Sequence, residues 1–334
     1  MKSPFTGKQM KMVQEHRTLN FRKDEFEVLF HTYRCEDTGE QFEDDLFAQL
    51  NYNQVVNQYR EKYSIPFPEQ IIAIREKYKL SAAKMSEILG FGTNVYRQYE
   101  GGEVPSQSNA KLIHLANDPH EFNKLINYCT TIDPKTVAKT HAIIGSLLEE
   151  QKKDKLERQL EDYFLGSGAP TSYTGFRKPD LRKFTEMLVF FVERLEPWKT
   201  KMNKLLFYTD FMMYKNYGIS MSGMKYRAIM MGPVPNNFNS IFEYLANKEE
   251  FDIRFVSFPD GGTGEQFKPN PNRTFDTQQF SEAELNILES VAERFENVST
   301  NEIIEISHQE KAWIENNEGK KLIDYYYGFE LQAN

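Results

Sequence analysis

The stretch GSGAPTSYTG at residues 166–175 sets the strongest limit on what this chain can fold into. Its small and turn-forming residues carry almost no apolar surface, so the stretch predicts a linker and cannot support a core. The chain is 334 residues long, which is enough for two or three domains with separate cores. We therefore predict a multidomain α+β protein in which residues 166–175 separate two parts.

Composition excludes several classes of protein. Hydrophobic residues make up 40% of the chain, and no apolar run approaches the ~20 residues that a membrane span requires. The opening residues, MKSPFTGKQM, lack the apolar segment of a secretory signal, and two cysteines indicate no disulfide framework. We therefore expect a cytoplasmic protein that does not bind a membrane. The net charge of −8 argues against a surface that coats nucleic acid throughout, although a local basic patch is compatible with it.

The first part of the chain predicts a small β domain. Residues 19–22 and 26–30 read as strands on either side of a charged turn at 23–25. Residues 44–63 carry apolar side chains at helical spacing, which predicts a connecting helix or a pair of short helices. We assign residues 1–64 to this domain and its connecting helix, and we expect the domain to have little core of its own.

Residues 65–165 predict an all-α domain. From Pro68 to Ala116 the apolar residues fall into four short helical runs, with Ser81 as the N-cap of the second run and Gly90 as its C-terminal glycine. A long helix is predicted over residues 133–164, and its heavily charged run indicates a solvated surface.

Residues 176–334 predict a mixed α+β domain. The predicted elements are helices at about 181–195, 200–217 and 237–245, strands at about 224–231 and 253–258, and helices beginning at the capping boxes Ser281–Glu284 and Ser299–Glu302. The segment has no phosphate-binding glycine loop, no His-x-x-x-His and no Gly-x-Ser-x-Gly, so we predict no enzyme and no cofactor. His308 has acidic neighbours, but a structural histidine bonded to a carboxylate or a carbonyl is a better interpretation than a general base.

Residues 81–104 carry the pattern that most directly indicates a function. Two short helices are joined by a glycine-containing turn of the length that sets them nearly perpendicular. Such a pair can place its second helix in a DNA major groove, with Val95 and Tyr99 facing the core. The outward residues of that helix are candidates for contacts with base edges: Thr93, Asn94, Arg97 and Gln98. The candidates for phosphate contacts around it are Ser81, Lys84, Ser106, Ser108 and Lys111.

Local charge gives this interpretation modest support. Residues 60–114 carry a net charge of +2 inside a chain of −8, which is the sign that DNA requires. The alternative is a small helical bundle in which Asn94 and Gln98 only face water. Periodicity leaves the two interpretations nearly even.

The run MSEILGFGTNVYRQYEGGEVP, Met85 to Pro105, closely resembles the Xre-type helix-turn-helix of MqsA-like antitoxins. The resemblance implies that Asn94 and Gln98 read operator bases and that a zinc-binding domain precedes the helices. It also implies a homodimer, because similar repressors bind palindromic operators as dimers.

In the MqsA-like proteins two Cys-x-x-Cys knuckles hold the zinc. The corresponding positions here are Ser3-Pro-Phe-Thr6 and Cys35-Glu-Asp-Thr38, each followed by a glycine. Three of the four ligand positions carry hydroxyls, which stay protonated and cannot replace thiolates on zinc. We predict no metal, and a degenerate zinc-ribbon-like domain whose hydroxyls accept backbone hydrogen bonds. Cys35 and Cys129 are isolated, and we expect both to be small buried apolar residues.

The C-terminal part carries a second set of family residues. They are the run KMNKLLFYTD at 201–210, Tyr217-Gly218, Tyr226-Arg227-Ala228, Gly232-Pro233-Val234, Ser307-His308 and Trp313. With these residues, the segment 176–334 resembles the Panacea domain, also called the SocA-like antitoxin domain. The resemblance implies that this part neutralises a partner toxin by binding and not by chemistry. It points to the following residues for toxin contacts: Lys204, Tyr208, Tyr217, Tyr226 and Asn237.

Other positions of the same motif have a different interpretation or none. Leu205, Leu206 and Phe211 have the helical spacing of core residues. The sequence assigns no role to Lys204 or Asp210 as motif positions.

Together, the two resemblances predict an antitoxin that also represses its own promoter, with a toxin and operator DNA as partners. A first alternative is a transcriptional repressor whose C-terminal domain senses a small molecule and has no toxin partner. A second alternative is an enzyme recruited to DNA. A deep pocket with converging polar groups would favour the sensor, and clustered carboxylates or histidines with shifted pKa values would favour the enzyme.

Overall fold

The computed structural model describes residues 1–153, 155–166, 168–259 and 261–332, apart from the side chains of residues 151–158. These residues form a mixed α+β structure, which confirms the predicted fold class at that level. The chain divides into two compact units. Unit 1 comprises residues 1–20, 27–54 and 161–334, and unit 2 comprises residues 21–26 and 55–160. The predicted domain boundaries, at 64/65 and at the linker, stay predictions, and Ser167 of the linker lies outside the described residues.

The N-terminal elements are an antiparallel hairpin, a short third strand and a helix. They are β1 (Lys11–Phe21), β2 (Asp24–Arg34), β3 (Gln41–Phe42) and α1 (Asp45–Tyr63), with the strands in the order β1-β2-β3. The predicted strands overlap β1 and β2, with Arg22 just beyond the end of β1, and the predicted helix is α1. Both strands are longer than predicted. In β1, residues 12–18 alternate between exposed and half-buried while carrying mostly polar side chains. A search for apolar runs misses such a strand.

The helices that lie wholly within unit 2 are short, except for the last, which has 20 residues. They are α2 (Pro68–Lys77), α3 (Ala82–Ile88), α4 (Val95–Glu100), α5 (Gln107–Ala116), α6 (Pro119–Tyr128) and α7 (Pro134–Lys153). Their core includes Ile71, Tyr78, Met85, Ile113 and Phe122, all without exposed surface. The four predicted short helices are confirmed as α2 to α5.

Two features of unit 2 differ from the prediction. Helix α6 was not predicted, although Asp118 caps it and Pro119 opens it, which are ordinary start signals. The single helix predicted over residues 133–164 corresponds to α7 and α8 (Lys155–Leu165). Asp154, between them, lies outside the described residues.

The C-terminal part of unit 1 surrounds one buried helix. Its elements are α9 (Leu181–Leu195), α10 (Lys199–Tyr217), β4 (Tyr226–Ile229), β5 (Gly232–Pro235), α11 (Phe238–Asn247), β6 (Asp252–Ser257), β7 (Thr263–Lys268), α12 (Glu282–Phe295), α13 (Thr300–Gln309), α14 (Lys311–Ile314) and β8 (Leu322–Ile323). Helix α10 packs against β5, α12 and α13. Leu205, Leu206 and Phe211 on α10 are fully buried, as predicted.

Local sequence signals set several boundaries in this part. Ser281 and Ser299 each accept a hydrogen bond from the amide three residues later, and Glu284 and Glu302 bond back to the cap, so both capping boxes are confirmed. The strands form an antiparallel sheet in the order β5-β4-β8 and a separate β6-β7 ribbon. Among the described residues, no helix is both long enough and apolar enough to cross a membrane.

Candidate functional site

The residues of the C-terminal motif converge on the hairpin formed by β4 and β5. Ile229 pairs with Gly232, which leaves Met230 and Met231 as the turn. The motif residues around the hairpin come from three helices: Lys204 and Asp210 from α10, Ser307 and His308 from α13, and Trp313 from α14. We call this set, with Tyr226 and Gly232, the hairpin cluster.

Asp210 connects α10 to the start of the hairpin. Its carboxylate accepts hydrogen bonds from the Met221 amide (2.8 Å), the Ser222 amide (2.7 Å), the Ser222 hydroxyl (2.5 Å) and the Tyr226 hydroxyl (2.8 Å). Burial raises the pKa of Asp210, while these donors oppose the shift by favouring the carboxylate. Asp210 therefore fixes the chain that leads from α10 into β4.

Lys204 lies directly beneath the hairpin. It has no exposed surface, and its ammonium donates a hydrogen bond to the Pro233 carbonyl (3.0 Å). Burial lowers the pKa of Lys204 to about 7, because a charged amine loses its hydration there. Gly232 has φ of +95°, and a Cβ at that position would lie 2.6 Å from Lys204 Cε and 2.4 Å from Ser307 Oγ. Only glycine fits between these two side chains.

His308 and Trp313 secure the other side of the hairpin. Their rings stack with centroids 3.8 Å apart, and Trp313 Nε1 donates to the Ile229 carbonyl (2.7 Å). Burial lowers the pKa of the His308 imidazole, and its Nε2 atom is buried without a hydrogen-bond partner among the described residues. The interpretation of His308 as a structural histidine stays a prediction. The anchored turn leaves Met230 79% exposed and Met231 43% exposed.

Three of the five residues predicted to contact a toxin are interior residues. Lys204, Tyr208 and Tyr226 have no exposed surface, so a partner bound to this fold does not reach them. The Tyr208 hydroxyl bonds to the Glu310 carboxylate (3.4 Å), and the Tyr226 hydroxyl bonds to Asp210. These side chains stabilise the fold. The family resemblance identified them as motif residues but did not indicate whether they are buried or exposed.

The other two predicted toxin contacts lie nearer the surface. Tyr217 is half-buried at the end of α10, and its carbonyl accepts a hydrogen bond from the Asn53 amide (2.9 Å). Asn237 is exposed, and its side-chain amide donates to the carbonyls of Tyr163 (3.1 Å) and Phe164 (3.2 Å). Both have structural roles in addition to any contact with a partner.

In unit 2, α3 and α4 are fixed to each other by buried hydrogen bonds. The Ser86 hydroxyl accepts a hydrogen bond from the Tyr96 amide (3.0 Å), and the Tyr96 hydroxyl donates to the Ile71 carbonyl (2.8 Å). Ser81 caps α3, and Gly90 follows its end with φ of +69°, as predicted. The position of α4 is therefore set by α2 and α3.

The residues predicted to contact bases all lie on the solvent side of this pair. Thr93, Asn94, Arg97 and Gln98 are exposed. Helix α4 begins at Val95, two residues later than predicted, so Thr93 and Asn94 lie in the turn that precedes it. Its buried residues are Tyr96 and Tyr99, whereas Val95 is only half-buried. The spacing of the two tyrosines on one helical face is the signal that could have identified Tyr96.

The predicted phosphate contacts fall into two groups. Ser81, Ser106, Ser108 and Lys111 are exposed, and Ser106 also caps α5 by accepting a hydrogen bond from the Asn109 amide (3.2 Å). Lys84 is different, because its ammonium forms ion pairs with Glu87 (3.0 Å) and Asp133 (3.3 Å). A phosphate would have to compete with two carboxylates for Lys84.

The degenerate zinc-knuckle positions lie together in unit 1. The Gly7 amide donates to the Ser3 carbonyl (2.9 Å) and the Gly39 amide to the Cys35 carbonyl (2.8 Å), which forms two matching turns. The Ser3 hydroxyl accepts from the Thr6 amide (3.3 Å), as a hydroxyl-based turn requires. Hydrogen bonds from Ser3 and Thr38 lower the pKa of the buried Cys35 thiol to about 6.

Neither cysteine is simply the apolar residue that the sequence predicted. Cys35 is buried but has polar surroundings, and Cys129 is only half-buried, with its thiol bonded to the Glu87 carbonyl (3.6 Å). Within the described part of the chain, no three His, Cys, Asp or Glu residues are grouped as metal ligands would be. The absence of metal stays a prediction.

Comparison with known families identifies the segment that holds the hairpin cluster. Residues 202–314 match the family "Antitoxin SocA-like, Panacea domain". A comparison with curated proteins found no match for the chain. The Panacea segment runs from α10 to α14 and contains all the residues of the hairpin cluster. The match supports an antitoxin role.

Proposed function

We propose that this chain is the antitoxin of a toxin–antitoxin pair. It neutralises its toxin by direct binding through the C-terminal domain, and it represses its own promoter as a homodimer through α3 and α4. The observation that carries the proposal is the match of residues 202–314 to an antitoxin family. The buried hairpin cluster supports neutralisation by binding, because Asp210, Lys204 and Trp313 use their polar atoms to hold the hairpin.

The DNA-binding part of the proposal rests on unit 2. Asn94 and Gln98 can each form two hydrogen bonds with an adenine edge, and Arg97 can do so with guanine. All three are exposed beside one another, while the tyrosines of the same helix are buried. Exposed Lys111 and the exposed serine caps at α3 and α5 supply phosphate contacts.

The ligand-sensing repressor has one observation in its favour. Trp198, Phe258, Gly264 and Thr300 line an open cleft of about 350 Å³, a volume in the range of small-molecule sites. Two charged residues of the cleft, Lys199 and Glu265, pair with each other at 2.9 Å. Because these two residues pair with each other, they are less able to recognise a ligand. We therefore favour the antitoxin over the ligand-sensing repressor.

Growth experiments with the reading frame adjacent to this gene test the proposed function. We expect its product to arrest growth when expressed alone, and co-expression of this chain to restore growth. The two proteins should then co-purify. The matched control is the same co-expression plasmid with the start codon of this chain removed. A neighbour that is harmless, or one that this chain neither binds nor rescues, would contradict the proposal.

A further inference from the structure

We propose that Met230, Met231 and Ile314 form the centre of the toxin-binding surface, and that the toxin meets them with a basic surface. We call these three residues the methionine patch. The inference rests on the proposed antitoxin function, and it names where the toxin binds and what chemistry it presents.

The methionine patch exposes apolar side chains where a hairpin usually carries polar ones. Met230 is 79% exposed, Met231 43% and Ile314 52%. Short hairpin turns favour Asn, Asp and Gly, so two adjacent methionines gain nothing from the turn itself. Met230 and Met231 are consecutive, and Ile314 follows Trp313, whose indole bonds to the Ile229 carbonyl. Large exposed apolar side chains that are grouped in this way indicate an interaction surface. Methionine also adapts its shape to a partner, because its side chain is unbranched and flexible.

The patch is held in place by the hairpin cluster. Trp313, the neighbour of Ile314, bonds to the Ile229 carbonyl (2.7 Å), and the His308 ring stacks on Trp313 with centroids 3.8 Å apart. The turn and α14 are therefore tied to each other. A fixed backbone lowers the entropy cost of binding, which a mobile loop would have to offset.

The charge of the segment that contains Ile314 indicates the chemistry of the partner. Residues 282–318, which include α12, α13 and α14, contain ten glutamates against Arg294 and Lys311, a net charge of −8. Eight of these glutamates are exposed: Glu282, Glu289, Glu293, Glu296, Glu302, Glu305, Glu315 and Glu318. Of these, Glu289 and Glu296 form ion pairs with Arg194 of α9. Lys311 is neutralised by an ion pair with Glu330. Lys320 and Lys321 follow in the chain and offset only part of this charge. Electrostatic complementarity therefore favours a partner with a basic surface.

The same charges argue against a second copy of this chain as the partner that binds the methionine patch. A symmetric dimer through the patch would place each surface opposite its own copy. Glu315, directly after Ile314, and Glu305 on α13 would then lie in an interface that is acidic on both sides. Like charges facing each other reduce affinity. A stable interface buries roughly 800 Å² of surface on each partner, and three side chains cannot supply that area. They therefore fit the centre of a larger interface.

Binding measurements test the inference. They use the neighbouring gene product, once the growth experiments described above have shown that it is toxic. The variant Met230→Ser/Met231→Ser/Ile314→Ser removes the apolar centre, and Phe255→Ser is the matched control because Phe255 is 72% exposed in the same Panacea segment. We expect isothermal titration calorimetry to give a Kd at least about tenfold weaker for the triple variant and within about twofold of wild type for the control. Thermal melting checks that both variants fold.

A second pair of variants tests the charge. Glu305→Gln/Glu315→Gln should weaken binding about two- to fivefold at low salt and flatten its salt dependence. Glu243→Gln should do neither, because Glu243 is an exposed glutamate of α11 that lies outside residues 282–318. This arm still tests the surface if the triple variant fails to fold.

The outcomes separate the inference from the proposed function. If the triple variant and the charge variant both bind the toxin with wild-type affinity, the methionine patch is not the toxin-binding surface. The proposed antitoxin function is then unaffected. No binding by the wild-type chain overturns both. If the triple variant converts a dimer of this chain to a monomer while toxin affinity is unchanged, the patch belongs to a second copy and the inference is wrong.

Discussion

In the hairpin cluster the polar residues of the family motif, Lys204 and Asp210, are fully buried, whereas Asn94 and Gln98 of the other motif are exposed. The first pair holds a hairpin, and apolar Met230 and Met231 remain at the surface above it. The second pair lies at the surface, and tyrosines remain below. A motif residue can thus mark either a contact or the support of a contact, and burial distinguishes the two.

The largest effect that would test this comparison is expected at Asp210. Asp210→Ala leaves two amides and two hydroxyls without their buried acceptor, so we expect a loss of about 3–5 kcal/mol in the free energy of unfolding. Urea denaturation measures it. The control Asp252→Ala removes an exposed carboxylate of β6 and should change stability by less than about 0.5 kcal/mol. A similar small change at Asp210 would mean that it does not support the hairpin.

The next effect concerns the pH dependence of stability at Lys204. Its folded pKa is about 7, below its usual value of 10.5. The unfolded chain therefore binds more protons than the folded chain between these pH values, so this lysine makes stability rise with pH there. Relative to Lys204→Met, which does not titrate, the wild type should gain about 2–3 kcal/mol between pH 7.5 and 9.5.

Urea denaturation of both proteins at a series of pH values measures this gain. Lys111→Met is the control, because Lys111 is exposed. A constant difference between wild type and Lys204→Met across the range would show that Lys204 is not desolvated in solution.

Apart from α6, the sequence predicted most features that depend on neighbouring residues and missed those that depend on distant ones. Ser281 and Ser299 start helices through bonds to residues three positions away, and both starts were predicted. The outward direction of Gln98 also follows from local helical spacing, whereas Asn94 lies in the turn before α4. Asp210 and Lys204 could not be assigned, because their partners Tyr226 and Pro233 lie 16 and 29 residues further along the chain.

The exposure of Met230 and Met231 was hidden for the same reason. An alternating run over residues 224–231 predicts one continuous strand, but the chain turns after Ile229 so that Gly232 can pack between Lys204 and Ser307. Ser307 comes from α13, far along the chain. The fold class, most helices and the candidate DNA surface were therefore accessible from the sequence, and the proposed toxin-binding surface was not.

The next prediction concerns the exposed residues of unit 2. Asn94→Ala should reduce the preference for promoter DNA over unrelated DNA by about 1–3 kcal/mol of binding free energy. The reason is the loss of two hydrogen bonds to one base. Fluorescence anisotropy with a labelled promoter fragment and a scrambled fragment measures the preference. Asn127→Ala, at an exposed position on α6, is the control. If Asn94→Ala keeps the preference intact, α4 is not the helix that reads bases.

The smallest expected effect is on the salt dependence of DNA binding. It distinguishes Lys111 from Lys84, the two lysines that the sequence predicted to contact phosphates. Lys111 is exposed, so Lys111→Ala should weaken binding to all sequences alike and reduce the slope of log K against log salt by about 0.9. Lys84 is already neutralised by Glu87 and Asp133, so Lys84→Ala should leave that slope nearly unchanged. Anisotropy titrations at several salt concentrations compare the two variants. A larger change for Lys84→Ala would mean that its ion pairs open when DNA binds, and that burial and pairing in the free protein do not predict its contacts.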